Sequence, residues 1–109
     1  MGHILTKEES YELAKRKVKE FSKEAQIELE IMPEYTYEFE FGWVFFYQSS
    51  EYVKTLNLEY LVGGNAPIIV DKFNSFTIET GTGHEVDFYI EKYCKFRNDI
   101  PLFLSEISN

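Results

Sequence analysis

The chain has 109 residues, 44% hydrophobic and 17% aromatic, enough for one compact core and too few for two ordinary domains. Residues 1–109 therefore read as a single domain. A net charge of −8 and a pI near 4.7 exclude nucleic acid as a natural partner, because its phosphates would be repelled. No apolar run approaches the roughly 20 residues that cross a bilayer, and the first residues lead straight into charged sequence without an export signal. The expectation is a cytoplasmic protein that associates with no membrane. The single cysteine, Cys94, has no partner for an internal disulfide and reads as a structural thiol among aromatic residues.

The negative charge is localised. Residues 1–27 hold six basic and five acidic residues, a balance of +1, whereas residues 28–91 hold two basic and twelve acidic residues, a balance of −10. In the first segment Thr6 and Glu9 have capping-box spacing, and Tyr11, Ala14, Val18, Phe21 and Ala25 recur every three or four residues, which predicts an amphipathic helix. Lys15, Arg16, Lys19 and Lys23 occupy its wet face. The period then changes to two: Ile27, Leu29 and Ile31 alternate with Glu28 and Glu30, as in a half-buried strand that Pro33 ends. Tyr35, Tyr37, Phe39 and Phe41 alternate with Thr36, Glu38 and Glu40 in a second one-sided strand. Beyond Gly42, which fits a bulge, a turn or a close backbone approach, Trp43-Val44-Phe45-Phe46-Tyr47 reads as a central strand covered on both faces.

Residues 48–65 read as a long connection pinned by Tyr52, Val53, Leu58, Tyr60 and Leu61. Gly63-Gly64-Asn65 is a turn before Pro67-Ile68-Ile69-Val70, which pairs as a hairpin with Phe76-Thr77-Ile78-Glu79-Thr80. Thr82 and Glu85 repeat the capping-box spacing before a second helical stripe of Val86, Tyr89, Ile90 and Tyr93. Pro101 ends that helix, and residues 102–107 are apolar enough to dock. The class is α+β: an antiparallel or mixed sheet of about five strands, with an N-terminal and a C-terminal helix packed against one face.

No constellation for catalysis emerges. His3 and His84 stand far apart without a second ligand at metal spacing, and Gly63-Gly64-Asn65 precedes a strand instead of the helix that a phosphate loop requires. The alternating glutamates more simply make a solvent-facing acidic surface than an acid/base pair. The reading is a non-enzymatic binding protein with no cofactor and no metal. Its partner-binding candidates are Glu28, Glu30, Glu38 and Glu40 on the strands, with Glu51, Glu59 and Tyr60 from the long connection. Such a surface attracts a protein with a basic surface, and an exposed edge strand leaves room for a homodimer.

The run Gly42-Trp43-Val44-Phe45-Phe46-Tyr47-Gln48-Ser49, followed by Thr55-Leu56-Asn57, Gly64-Asn65-Ala66-Pro67-Ile68-Ile69-Val70-Asp71-Lys72, Thr80-Gly81-Thr82 and Tyr89-Ile90-Glu91, resembles the immunity protein 35 family, which includes YrhB-like proteins. The resemblance spans residues 35–93, and the segment from Gly64 to Lys72 is its most specific part. Two positions depart from the family pattern: Phe73-Asn74-Ser75-Phe76 stands where a glycine-containing turn is usual, and Leu56 stands where a small turn residue is usual. The resemblance implies a bacterial immunity protein that binds and neutralises a cognate toxin of a polymorphic toxin system, encoded beside it. The YrhB-like branch implies the alternative, a small chaperone that holds unfolded proteins.

Overall fold

The computed structural model describes residues 3–108; Met1, Gly2 and Asn109, which the single-domain span includes, lie outside the described residues. Helix α1 (Lys7–Ala25) begins where the sequence places it. The Thr6 hydroxyl accepts the Glu9 amide at 3.1 Å while the Glu9 carboxylate accepts the Thr6 amide at 2.9 Å, satisfying two otherwise orphaned donors. His3 is tied down here as well, its Nε2 standing 2.7 Å from Glu9 Oε1. The helix stops at Gln26, which turns left-handed and donates its amide to the Ser22 carbonyl.

Six short strands follow: β1 (Leu29–Ile31), β2 (Tyr37–Phe39), β3 (Gly42–Phe45), β4 (Tyr47–Ser49), β5 (Ile68–Asp71) and β6 (Thr77–Glu79). They form an antiparallel sheet of order β2-β3-β5-β6 and an antiparallel β1-β4 pair. Strands β3 and β4 are separated only by Phe46, whose carbonyl accepts the Met32 amide at 2.8 Å, so the β1–β4 ladder runs on toward β2–β3. The class is α+β, with six strands among the described residues where about five were expected. The hairpin from β2 to β3 turns at Glu40-Phe41, and Gly42 is a close-approach position: a Cβ there would collide with the Val70 carbonyl oxygen of β5.

Side chains of the central strand alternate between two cores. Trp43, Phe45 and Tyr47 join Ile68 and Val70 against Ala14 and Val18 of α1. Val44 and Ile69 join Ile78 on the other face, against Tyr93 of α3 (Val86–Phe96) and Phe103 of α4 (Ile100–Ile107). Val44, Phe45, Ile68, Ile69 and Val70 are fully buried, each side chain contributing about 1.5–3 kcal/mol. The helices thus cover both faces, not the one face expected. Strands buried on both sides require this. Helix α3 already stops at Phe96, so Pro101 does not end it but opens a separate helix. The proline sits in the first turn of α4, where its missing amide leaves no bond unmade, and Asp99 caps that turn by accepting the Leu102 amide at 3.2 Å. The capping box expected at Thr82 and Glu85 is not formed: Glu85 is itself the N-cap residue of α3 and makes no side-chain cap bond. Instead the Tyr89 hydroxyl accepts the amides of Gly83 and His84 at 3.1 and 3.2 Å and so fixes the approach to the helix.

One buried ion pair locks α3 to the sheet. The Asp71 carboxylate is fully buried and accepts Arg97 Nη2 at 2.7 Å, Arg97 Nε at 3.0 Å and the Tyr93 hydroxyl at 2.7 Å. Its other oxygen accepts the Phe73 amide at 2.9 Å, holding the β5–β6 turn, and the Arg97 guanidinium lies 4.1 Å from the Phe41 ring centroid. Saturating the carboxylate in this way makes a buried charge tolerable. Cys94 on α3 is half-buried, and burial together with the charge of Glu40 pushes its thiol pKa up, away from a reactive thiolate.

Candidate partner-binding surface

Helices α3 and α4 do not cover the whole of their face of the sheet. Past Val44 the same face continues through Phe46 to Gln48, and there the chain leaves a groove of about 480 Å³. On one side stand Tyr35 and Tyr37, 62% and 47% exposed; on the other stand Tyr52 and Val53 of α2 (Ser50–Thr55) and, beyond that helix, Leu56 and Leu61, 70% and 47% exposed. A 3-10 turn at Pro33–Tyr35 creates the first wall. It takes Tyr35 out of the strand and into solvent, whereas Tyr37 keeps the strand phase opposite Val44 and is exposed because it lines the open groove.

The second wall is held by polar bonds. The Gln48 side chain donates to the Val62 carbonyl at 3.1 Å and accepts the Val62 amide at 2.8 Å. Ser49 caps α2 by accepting the Tyr52 amide at 3.1 Å and donates its hydroxyl proton to the Tyr60 carbonyl at 2.5 Å. Asn65 donates to the Val62 carbonyl at 2.9 Å. The connection expected to be pinned by Leu58, Tyr60 and Leu61 therefore displays them: they are 72%, 42% and 47% exposed. Small residues in its anchoring strand and side-chain amides do the pinning.

Leu56 ends α2 in the left-handed region, with φ 59° and ψ 21°. Ser75, in the β5–β6 turn, has φ 65°. These are the two places where the sequence departs from the family's small or glycine-containing turns, and both backbones keep the conformation that glycine would favour.

Leu61 is shared between the groove and a neighbouring pocket of about 290 Å³. Glu28, Glu51, Glu59 and Tyr60, four of the seven predicted binding residues, line that pocket. Among the described residues none of its three carboxylates has an ion-pair partner. The remaining candidates lie elsewhere. Glu30 shares a depression with Glu28, Lys15 and Lys19 beside α1. Glu38 is opposite Trp43 while Glu30 is opposite Gln48, a separation of about 17 Å along the central strand. Glu40 sits in the hairpin turn near Cys94. All seven side chains are exposed, but they follow one edge of the sheet instead of forming the single acidic face that the alternation suggested. Sequence reasoning missed the groove residues Tyr35, Tyr37 and Leu56, and the leucine at 56, where a small turn residue is usual, was the signal it offered.

A comparison with family profiles matches residues 12–84 to Immunity protein 35. The chain belongs to the immunity protein 35 family. The match takes in α1 from Glu12 onward, the sheet, the groove and the acidic pocket, and it ends before α3, whereas the resemblance read from the sequence began at the second strand and ran into that helix. An immunity protein is therefore the family-level function. Neither curated proteins nor solved structures returned a match. Among the described residues no helix is long and apolar enough to cross a membrane, and no three His, Cys, Asp or Glu side chains gather as a metal site.

Proposed function

We propose that this immunity protein acts in the cytoplasm by binding one cognate toxin and covering its active or substrate-binding surface, without catalysis and without a cofactor. The observation that carries the reading, beside family membership, is the set of unpaired carboxylates of Glu28, Glu51 and Glu59 around exposed Tyr60. Desolvated against a basic surface, such carboxylates steer association and reject partners of the wrong charge. Glu30, Glu38 and Glu40 extend the same negative edge, which suits a standard interface of roughly 800 Å² per partner. The test is to add purified protein to the toxin encoded beside it. Stoichiometric loss of toxin activity, with relief when Glu28, Glu51 and Glu59 are changed to lysine, supports the reading; full activity of the toxin in the presence of excess protein rejects it.

A second reading is favoured by the apolar groove itself. A client-holding chaperone also exposes aromatic and aliphatic surface, and Tyr35, Tyr37, Leu56 and Leu58 supply it here. Suppressed aggregation of several unrelated heated proteins would select that reading, and no suppression would remove it.

A further inference from the structure

Two features at the α2 end of the sheet remain unexplained by folding. Leu56 holds a left-handed backbone that a leucine adopts reluctantly, yet 70% of its surface is exposed, so little burial offsets the strain. The Ser50 hydroxyl, in the wall of the acidic pocket, is buried and has no hydrogen-bond partner. Native structures leave few such groups, and of the three among the described residues, Ser10, Thr36 and Ser50, it is Ser50 that lines the acidic pocket.

We propose that the groove and the acidic pocket form one two-point socket for a segment of the toxin in which a large apolar side chain stands next to a lysine or arginine. The apolar anchor enters between Tyr37 and Leu56 over Phe46, and the cation crosses Leu61 to lie among Glu28, Glu51 and Glu59. Leu61 belongs to both depressions, which makes their occupants neighbours in the bound segment. Charge complementarity selects the basic neighbour: Glu34 lines the groove, three unpaired glutamates line the pocket, and no lysine or arginine lines either. Lys54 of α2 is exposed and lines neither. The three carboxylates do not gather as a metal site, and an extended guanidinium or a hydrated ammonium suits carboxylates spread around a rim better than a bare metal ion does. The volume of about 480 Å³ on the apolar side accommodates an aromatic ring with room for the backbone that carries it.

The inference rests on the immunity reading only for the identity of the partner, and the site can be probed without it. The probes are three capped tripeptides, acetyl-Arg-Trp-Arg-amide, acetyl-Glu-Trp-Glu-amide and acetyl-Arg-Gly-Arg-amide, titrated into the whole protein and followed by amide-resolved NMR. The first should bind at least about tenfold more tightly than either of the others, a gap of about 1.4 kcal/mol, with shifts confined to the residues around Tyr35, Leu56 and Glu59. Exposed Tyr35→Ser with Leu56→Asn should remove the tryptophan contribution, and Glu51→Lys with Glu59→Lys the arginine contribution. Equal binding of all three peptides, shifts elsewhere, or no binding of the first peptide would overturn the socket. A toxin neutralised equally well by the Tyr35→Ser, Leu56→Asn variant would overturn it while leaving the immunity reading intact; a peptide held in the socket with no toxin neutralised would do the reverse.

Discussion

Replacing Leu56 by asparagine separates what the fold requires from what a partner requires. A left-handed backbone costs an ordinary L-residue about 1–2 kcal/mol, and asparagine tolerates it far better. Leu56 is 70% exposed, so the substitution forfeits less than a third of the roughly 1.5–3 kcal/mol of a fully buried leucine, about 0.5–0.9 kcal/mol. The two effects oppose each other, and Leu56→Asn should leave stability unchanged or raise it by up to about 1 kcal/mol, against a loss of about 2–5 kcal/mol when a core leucine is truncated. Urea unfolding followed by circular dichroism measures this, provided the denaturant slope is unchanged. Affinity for the toxin should fall about tenfold in the same variant. A stability loss above about 2 kcal/mol would refute the reasoning, because Leu56 would then be a core residue that the fold itself holds in place.

Two further outcomes follow from the buried Asp71 network and from the buried tyrosines Tyr47 and Tyr93. Asp71→Ala should lower unfolding free energy by about 3–5 kcal/mol, since Arg97 is then left without its carboxylate, and Asp71→Ala combined with Arg97→Leu should recover part of that loss; a shift in the urea midpoint corresponding to less than about 1 kcal/mol for Asp71→Ala would show the pair to be dispensable. Burial pushes the Tyr47 phenol up to about 12, helped by the charge of Glu79, and burial with the Asp71 hydrogen bond pushes Tyr93 higher still. Both groups favour the neutral phenol in the folded state, so their contribution is complete below the unfolded value near pH 10 and is lost as pH rises through the folded values. Above about pH 10 stability should fall by up to about 1.4 kcal/mol per pH unit for each group. Tyrosinate absorbance that reports all eight tyrosines ionising near pH 10 while the protein stays folded would contradict this.

Much of the architecture is legible in the sequence because its periods are clean. Ala14 and Val18 lie on the buried stripe of α1 as their spacing requires, and the apolar runs around Val44 and Ile69 are buried on both faces. Strand β2 misleads because Tyr35 keeps an even spacing with Tyr37 although it belongs to a 3-10 turn, and because Tyr37, in phase with Phe39, lines an open groove instead of a covered core. Helix α2 has six residues, too few to display a helical period, and its stop at Leu56 uses a residue that normally argues against a left-handed cap. Asp71 reads as one acidic residue among many, since its partner Arg97 lies 26 positions away and only the folded sheet brings them together. The candidate site was partly legible for a similar reason: glutamate placement predicts exposure, which all seven residues have, but convergence of Glu28, Glu51 and Glu59 depends on where α2 and the turn at Leu58–Tyr60 come to rest.

The measurement closest to the central claim is the association rate of the purified toxin with this protein as ionic strength rises, for the native chain and for Glu28→Lys, Glu51→Lys, Glu59→Lys combined. As the Debye length shrinks from about 30 Å at 0.01 M to about 8 Å at 0.15 M salt, the native rate should drop by about tenfold or more, and the variant should start slow and change little. Equal rates for the two proteins, independent of salt, would contradict an acidic docking surface.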